Sequence, residues 1–139
     1  MNEPEDIQNM LGNPRIGETR TIAVIGLSDD PSKASHSVSA YMQQQGYRIL
    51  PVNPSLSSVL GETCYPSLTS LPERPDVVNV FRLPKFIPAI VDEMIALGLK
   101  NLWVQLGIFD LESAKRAEEA GIHVVMDRCI LIEHRKLGL

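Results

Sequence analysis

One segment constrains this chain more than any other: Thr21-Ile22-Ala23-Val24-Ile25-Gly26-Leu27-Ser28-Asp29-Asp30-Pro31-Ser32-Lys33-Ala34-Ser35-His36. A short strand-like run ends in Gly26, a loop carrying Ser28, Lys33 and Ser35 follows, and a helical pattern then begins. In an α/β domain that succession builds a phosphate cradle. The strand brings the chain to the sheet edge, a glycine lets backbone approach the ligand, and the helix N-terminus offers free N–H groups and a positive dipole end. The loop departs from the dinucleotide fingerprint G-x-G-x-x-G, because Leu27 and Ser28 follow Gly26 and the next glycine is Gly46.

The rest of the chain alternates in the same sense. Glu3–Leu11 reads as a short helix with Ile7, Met10 and Leu11 on its apolar side, stopped by Gly12-Asn13-Pro14. Thr21–Ile25 is continuously apolar rather than alternating, as strands buried on both faces are. Val38, Tyr41, Met42 and Gln45 recur at helical spacing up to Gly46. Tyr47–Val52 is a second strand and Ser55–Pro75 a loop with a turn of helix near Leu68–Leu71. Asp76–Phe81 is a third strand. Ile87, Ile90, Val91, Met94, Ile95 and Leu97 mark the next helix, ended by Gly98. Asn101–Leu106, Leu111–Ala120, Ile122–Met126 and Cys129–Leu137 supply a strand, a charged helix, a strand and a final helix. Right-handed crossovers turn this order into a Rossmann-like, doubly wound parallel sheet of about five strands in a single three-layer domain. The expected strand order is 3-2-1-4-5, with the topological switch between the first and fourth strands.

Composition narrows the function. At 139 residues the chain reads as one domain that needs no disulfide or metal staple. A net charge of −4 argues against a general nucleic-acid or anionic-membrane binder. No apolar run approaches the roughly twenty residues that span a bilayer. Glu3, Glu5 and Asp6 stand where a signal peptide would be basic. A cytoplasmic location is expected, and there Cys64 and Cys129, which form no CxxC or zinc spacing, would be free thiols.

Ligands of such sheets bind outside the carboxyl ends of the strands. Here those ends carry Gly26–His36, Asn53-Pro54, Arg82-Leu83-Pro84, Gln105-Leu106-Gly107 and Asp127-Arg128-Cys129. NAD-binding folds place an acid after the second strand to hold the ribose hydroxyls. This chain has Asn53 there, which suits a ribose that carries a phosphate, because an acid would repel it. Lys33, His36 and Arg82 are the cations available for phosphate. NADP and coenzyme A (CoA) both meet that condition.

The blocks Val24-Ile25-Gly26-Leu27-Ser28, Tyr47–Pro54, Gly61–Leu68, Val80–Pro84, Trp103-Val104-Gln105-Leu106-Gly107 and Val125–Cys129 resemble, in order, the stand-alone bacterial CoA-binding proteins. These are similar to the CoA-binding N-terminal domain of the succinyl-CoA synthetase α subunit. The resemblance runs from about Ile16 to about Leu137. It implies an N-terminal helical extension over residues 1–15 and a CoA-binding domain over 16–139. It also implies a CoA nucleotide held across the strand ends. Gly26, Leu27, Ser28, Lys33, Ser35 and His36 would line the first loop, with Asn53 and Pro54 on the adenosine side. Arg82 and Pro84 would contribute from the third-strand loop, and Gln105 and Gly107 from the fourth. The phosphohistidine and ATP-handling parts of the synthetase lie outside this region, so its reaction is not implied.

Each residue also has a plainer reading. Ser28 and Ser35 suit turns and helix caps as well as phosphate. Lys33 and Arg82 read equally as solvated charges, and His36 as a cap rather than an acid–base group. Asp127 and Arg128 read as braces for the last strand's loop, His123 and His134 as structural or exposed, and Cys64 as inert. Cys129 is the one candidate nucleophile. No base stands beside it, which favours a packed thiol, although a mixed disulfide with CoA is available to it under oxidation. No carboxylate pair, Ser-His-Asp set or metal cluster presents itself. The sequence therefore favours a binding module for CoA or an acyl-CoA, without catalysis of its own. The alternatives are an NADP-dependent oxidoreductase, or a small CoA-linked transferase using Cys129.

Overall fold

The computed structural model describes residues 1–139. Five parallel strands form the central sheet: β1 (Thr21–Ile25), β2 (Arg48–Val52), β5 (Val77–Val80), β6 (Asn101–Val104) and β7 (His123–Met126). A separate two-residue hairpin pairs β3 (Ser58–Val59) with β4 (Glu62–Thr63) inside the long loop that the sequence left unstructured. Helices α1 (Pro4–Leu11), α2 (Ala34–Gln44) and α5 (Ile130–Lys136) pack on one face of the sheet, and α3 (Ile87–Leu97) and α4 (Leu111–Glu119) on the other. No helix is long and apolar enough to cross a membrane.

Alternation along the strands sorts the core into two layers. Ala23, Ile25, Val78, Val80, Leu102, Val104, Val124 and Met126 point toward α3 and α4. Ile22, Val24, Val77, Trp103 and Val125 point toward α1, α2 and α5. Helical periodicity buries Ile87, Ile90, Val91 and Met94 of α3. Ile95, expected on that stripe, lies one residue round the helix from Met94 and is 43% exposed.

The strand order differs from the expected one. It is β2-β1-β5-β6-β7, so the third long strand lies beside the first and not outside the second. The switch point falls between β1 and β5. The cause is on the outer side of β2. Tyr65 N–H donates to the Pro51 carbonyl at 3.0 Å, and Asn53 N–H donates to the Tyr65 carbonyl at 2.9 Å. That edge is thus occupied by the chain's own loop. Pro51 has no N–H to give a neighbouring strand, and proline belongs on edge strands. The opposite edge, β7, is closed by Asn2. Its N–H donates to Val124 O, its side-chain amide donates to Met126 O at 3.0 Å, and its Oδ1 accepts from Met126 N–H at 2.7 Å.

Candidate functional site

At the switch point the chain leaves β1 toward α2 on one face and leaves β5 toward α3 on the other. The two departures open a crevice at the carboxyl ends of the strands, as this topology generally does. A cavity of about 500 Å³ lies there, walled by Lys33, Ala34 and Ser35, by Phe81 to Leu83 with Phe86, and by Gln105, Leu106 and Ile108.

The α2 wall is polar by construction. The residue that caps α2 is Lys33, whose side chain has no oxygen to accept from the first turn. The N–H groups of His36 and Ser37 turn back to the Lys33 carbonyl. Those of Ala34 and Ser35 have no acceptor, and both residues line the cavity. The loop leading in is held by its own side chains. Ser28 N–H donates to Ser35 Oγ at 3.0 Å, and Asp30 N–H donates to Ser28 Oγ at 3.0 Å. Asp30 accepts from the N–H and hydroxyl of Ser32 at 2.9 and 2.8 Å, which holds its carboxyl below the usual carboxylate range. Ser35 Oγ thus ties the loop to the first turn of α2 and Ser28 Oγ closes the turn at Asp30, with Ser35 also in the cavity wall.

The other walls add charge and apolar surface. The Arg82 guanidinium stacks over the Phe86 ring at 3.9 Å and makes no ion pair. The Lys33 ammonium also has no acidic partner within the range of an ion pair. Gln105 is 6% exposed, and its Oε1 has no hydrogen-bond partner. Leu83 and Leu106 stand 62% and 56% exposed at the rim, well beyond what a buried core requires of leucine.

Of the twelve residues the sequence proposed, the cavity brings together Lys33, Ser35, Arg82 and Gln105. The others take different places. Gly26 has φ +87°, and a Cβ there would sit 2.5 Å from the Phe81 carbonyl oxygen and 3.1 Å from Arg82 Cδ. The glycine serves close approach of two backbone loops, and the space it leaves is taken by protein. Leu27 is fully buried. Asn53 spends both ends of its amide on structure, donating to Leu27 O at 3.0 Å and accepting from Ser55 N–H at 2.9 Å. It ties the loop after β2 to the loop after β1. Pro54 and Pro84 are exposed, with Pro84 opening a 3-10 turn over Pro84–Phe86. His36 is half-buried beyond the cavity wall. Gly107 N–H donates to Asp127 Oδ1 at 2.7 Å, which pins Asp127 in a left-handed conformation with φ 59°.

Cys129 is half-buried against the α2 and α5 side of the core and is absent from the cavity wall. Burial pushes the Cys64 thiol up. His123 pairs with Asp6 at 3.1 Å. The wall also includes Ala34, Leu83 and Leu106, which lie in the strand-end segments but were not named as contacts, and Phe81, Phe86 and Ile108, which the sequence reading passed over. Apart from Ala34, which opens α2, their signal was the occurrence of large apolar residues shortly after strands, where turns ordinarily carry polar ones.

Comparison with known proteins bears on this arrangement. Residues 20–135 match the model of a family described as a CoA binding domain. An uncharacterized protein of Bacillus subtilis, YneT, is 39% identical over 116 residues, covering 84% of this chain and 86% of that one. Acetate–CoA ligase (ADP-forming) II of Archaeoglobus fulgidus is 30% identical over 101 residues, which span 71% of this chain but 15% of the ligase. Among solved structures, a hypothetical protein of Pyrococcus horikoshii superposes with a TM-score of 0.88 at 36% identity, covering 97% of this chain and 92% of that one. A Thermus thermophilus protein, cell-free ID.343, superposes with a TM-score of 0.81 at 43% identity, covering 85% of this chain and 90% of that one. With most of its length matched, the chain belongs to the CoA binding domain family.

Proposed function

We propose that this protein binds CoA or an acyl-CoA in the switch-point cavity and acts as a binding module. The observation that carries the reading is the start of α2. Two unpartnered N–H groups, at Ala34 and Ser35, line the same cavity as two cations that make no ion pair, Lys33 and Arg82. N–H groups at a helix start and charge-assisted contacts from lysine and arginine are what phosphate oxygens require. CoA supplies a pyrophosphate and a ribose phosphate together with a long, weakly polar arm. The apolar walls formed by Phe81, Leu83, Phe86, Leu106 and Ile108 suit that arm. The acetate–CoA ligases that this chain resembles over part of their length carry CoA in their names, which agrees in ligand class.

The wall carries no carboxylate, histidine or cysteine, which supports a reading of binding. Isothermal titration with CoA, NAD and NADP tests it. Saturable binding of CoA, tighter than either dinucleotide, is the expected result. Binding of NADP or NAD without binding of CoA overturns it.

A further inference from the structure

Phe86, in the cavity wall, is 37% exposed, yet it stands on a fixed piece of backbone. Pro84 opens the 3-10 turn Pro84–Phe86, the Phe86 N–H donates to the Leu83 carbonyl at 3.0 Å, and the next residue, Ile87, is fully buried. The turn brings residue 86 back against residue 82. The Arg82 guanidinium carbon lies over the Phe86 ring, 3.9 Å from its centre. The stem of the same arginine passes close to Gly26, where a Cβ would come within 3.1 Å of Arg82 Cδ. Arg82 is thus supported at two points, its stem by the bare backbone of Gly26 and its head by the aromatic ring.

The head that is held in this way has its donors to spare. The Arg82 guanidinium makes no hydrogen bond and no ion pair within the protein, and it lines the same cavity as Lys33, Ala34 and Ser35. A guanidinium is planar. Its faces stack on aromatic rings, while its N–H donors point outward in the plane, in a fork that fits two phosphate oxygens. A ring that takes the face therefore leaves the fork free. An arginine without such a hold surrenders rotamer freedom when it meets a ligand, and that loss weakens binding. Lys85 also approaches the ring, with its ammonium 5.2 Å from the centre, but it is not part of the cavity wall.

We propose that Phe86 is a positioning residue for ligand phosphate: its ring holds the Arg82 guanidinium by the face and leaves the N–H fork for phosphate oxygens. The proposal rests on the reading that the switch-point cavity binds CoA. Calorimetric titration with CoA, and separately with inorganic pyrophosphate, tests it, with affinities taken per folded protein. Phe86→Leu keeps an apolar side chain but no ring face, and should weaken CoA binding by about fivefold, the cost of freezing one long side chain. Phe86→Tyr keeps the face and should bind within about twofold of wild type. In an Arg82→Ala background, Phe86→Leu should cost nothing further. Lys85→Ala should leave affinity within about twofold. The proposal is overturned if Phe86→Leu binds as wild type does, or if Phe86→Tyr loses as much as Phe86→Leu. It is equally overturned if the loss persists without Arg82, which would make the ring a direct contact, or if Lys85→Ala reproduces it. Wild-type protein that takes pyrophosphate but not CoA overturns the CoA reading alone, and the pyrophosphate affinities of the same variants then decide for or against Phe86. Binding of neither overturns both.

Discussion

The two faces of the sheet are built from the same strands and do different work. The face under α3 and α4 is packed by aliphatic side chains, with Ser113 as its buried polar residue. The face under α1, α2 and α5 buries Trp103, Tyr47, Ser35, Ser39, Glu133 and His134, and strand alternation puts Asn79 and Gln105 on it as well. All three buried polar atoms without a partner, in Asn79, Gln105 and His134, belong to this second face. Natural cores keep such orphans rare. Their gathering on one side shows that the two layers are under different constraints, one set by packing alone and the other by packing around polar groups with somewhere to point.

Neighbouring strand residues offer the sharpest way to break this contrast. Leu102 and Trp103 are both fully buried and face opposite sides. Trp103→Ala should cost about 3–5 kcal/mol and Leu102→Ala about 2–5 kcal/mol in urea unfolding. Trp103 also donates from Nε1 to Arg128 O at 2.9 Å, a tie that its removal cuts at the start of α5. If the faces are separable, Leu102→Ala leaves CoA affinity within about twofold once the folded fraction is accounted for. An equal loss of affinity in both variants would merge the two layers into one.

Lys33→Ala tests the polar side directly. The lysine is exposed and its removal should leave the unfolding midpoint alone, while CoA affinity falls by about 1.5–3 kcal/mol. Part of the salt dependence of binding should go with it. Dephospho-CoA assigns the contact: equal affinity in wild type and variant means that Lys33 meets the ribose phosphate. A variant that binds CoA as wild type does would return Lys33 to the solvent.

Asn79→Leu probes an orphan without touching the cavity wall. Replacing an unsatisfied buried acceptor by an apolar group of similar size should raise stability by about 1 kcal/mol. A loss comparable to that of Leu102→Ala would mean that the amide is satisfied in solution.

The smallest effect concerns acidity. Burial, with the charges of Arg15 and Arg135, holds the His134 imidazole below its ordinary 6.5. The unfolded chain then binds the proton at a higher pH than the native one does. The histidine's contribution is complete above about 6.5 and is lost as pH falls through the native value. Urea midpoints in phosphate-free buffer should drop between pH 7.5 and 5.5, and His134→Gln should flatten that part of the profile. An unchanged slope would mean that the ring titrates normally.

Much of the fold was legible, because hydrophobic periodicity and glycine stops report directly on local structure. Thr21–Ile25 is a strand with the bounds that the sequence predicts, and the apolar side of α1, Ile7, Met10 and Leu11, is the side that is buried. The strand order was written less plainly. The expected order put another strand outside β2, although Pro51 lacks the N–H that such a neighbour would need, and Tyr65 is what occupies that edge. At the cavity, spacing alone could not tell a glycine that faces a ligand from Gly26, which faces the Phe81 carbonyl. Nor could it tell a ribose-side Asn53 from one whose amide is spent on Leu27 and Ser55. Those distinctions depend on what lies across space from a residue, which its neighbours in sequence do not encode. His134 is the extreme case, a histidine amid charged residues that turns entirely inward.

The closure of the two sheet edges also bears on how molecules of this protein meet one another. An unpaired strand edge is a template for adding a strand from another chain, and so for runaway polymerisation. Here one side is occupied by Tyr65 and made poor in donors by Pro51. The other is occupied by Asn2, whose amide imitates one residue of an added strand. Each side is thereby interrupted at its carboxyl end, where an added strand would have to displace the chain's own loop or Asn2 before it could pair.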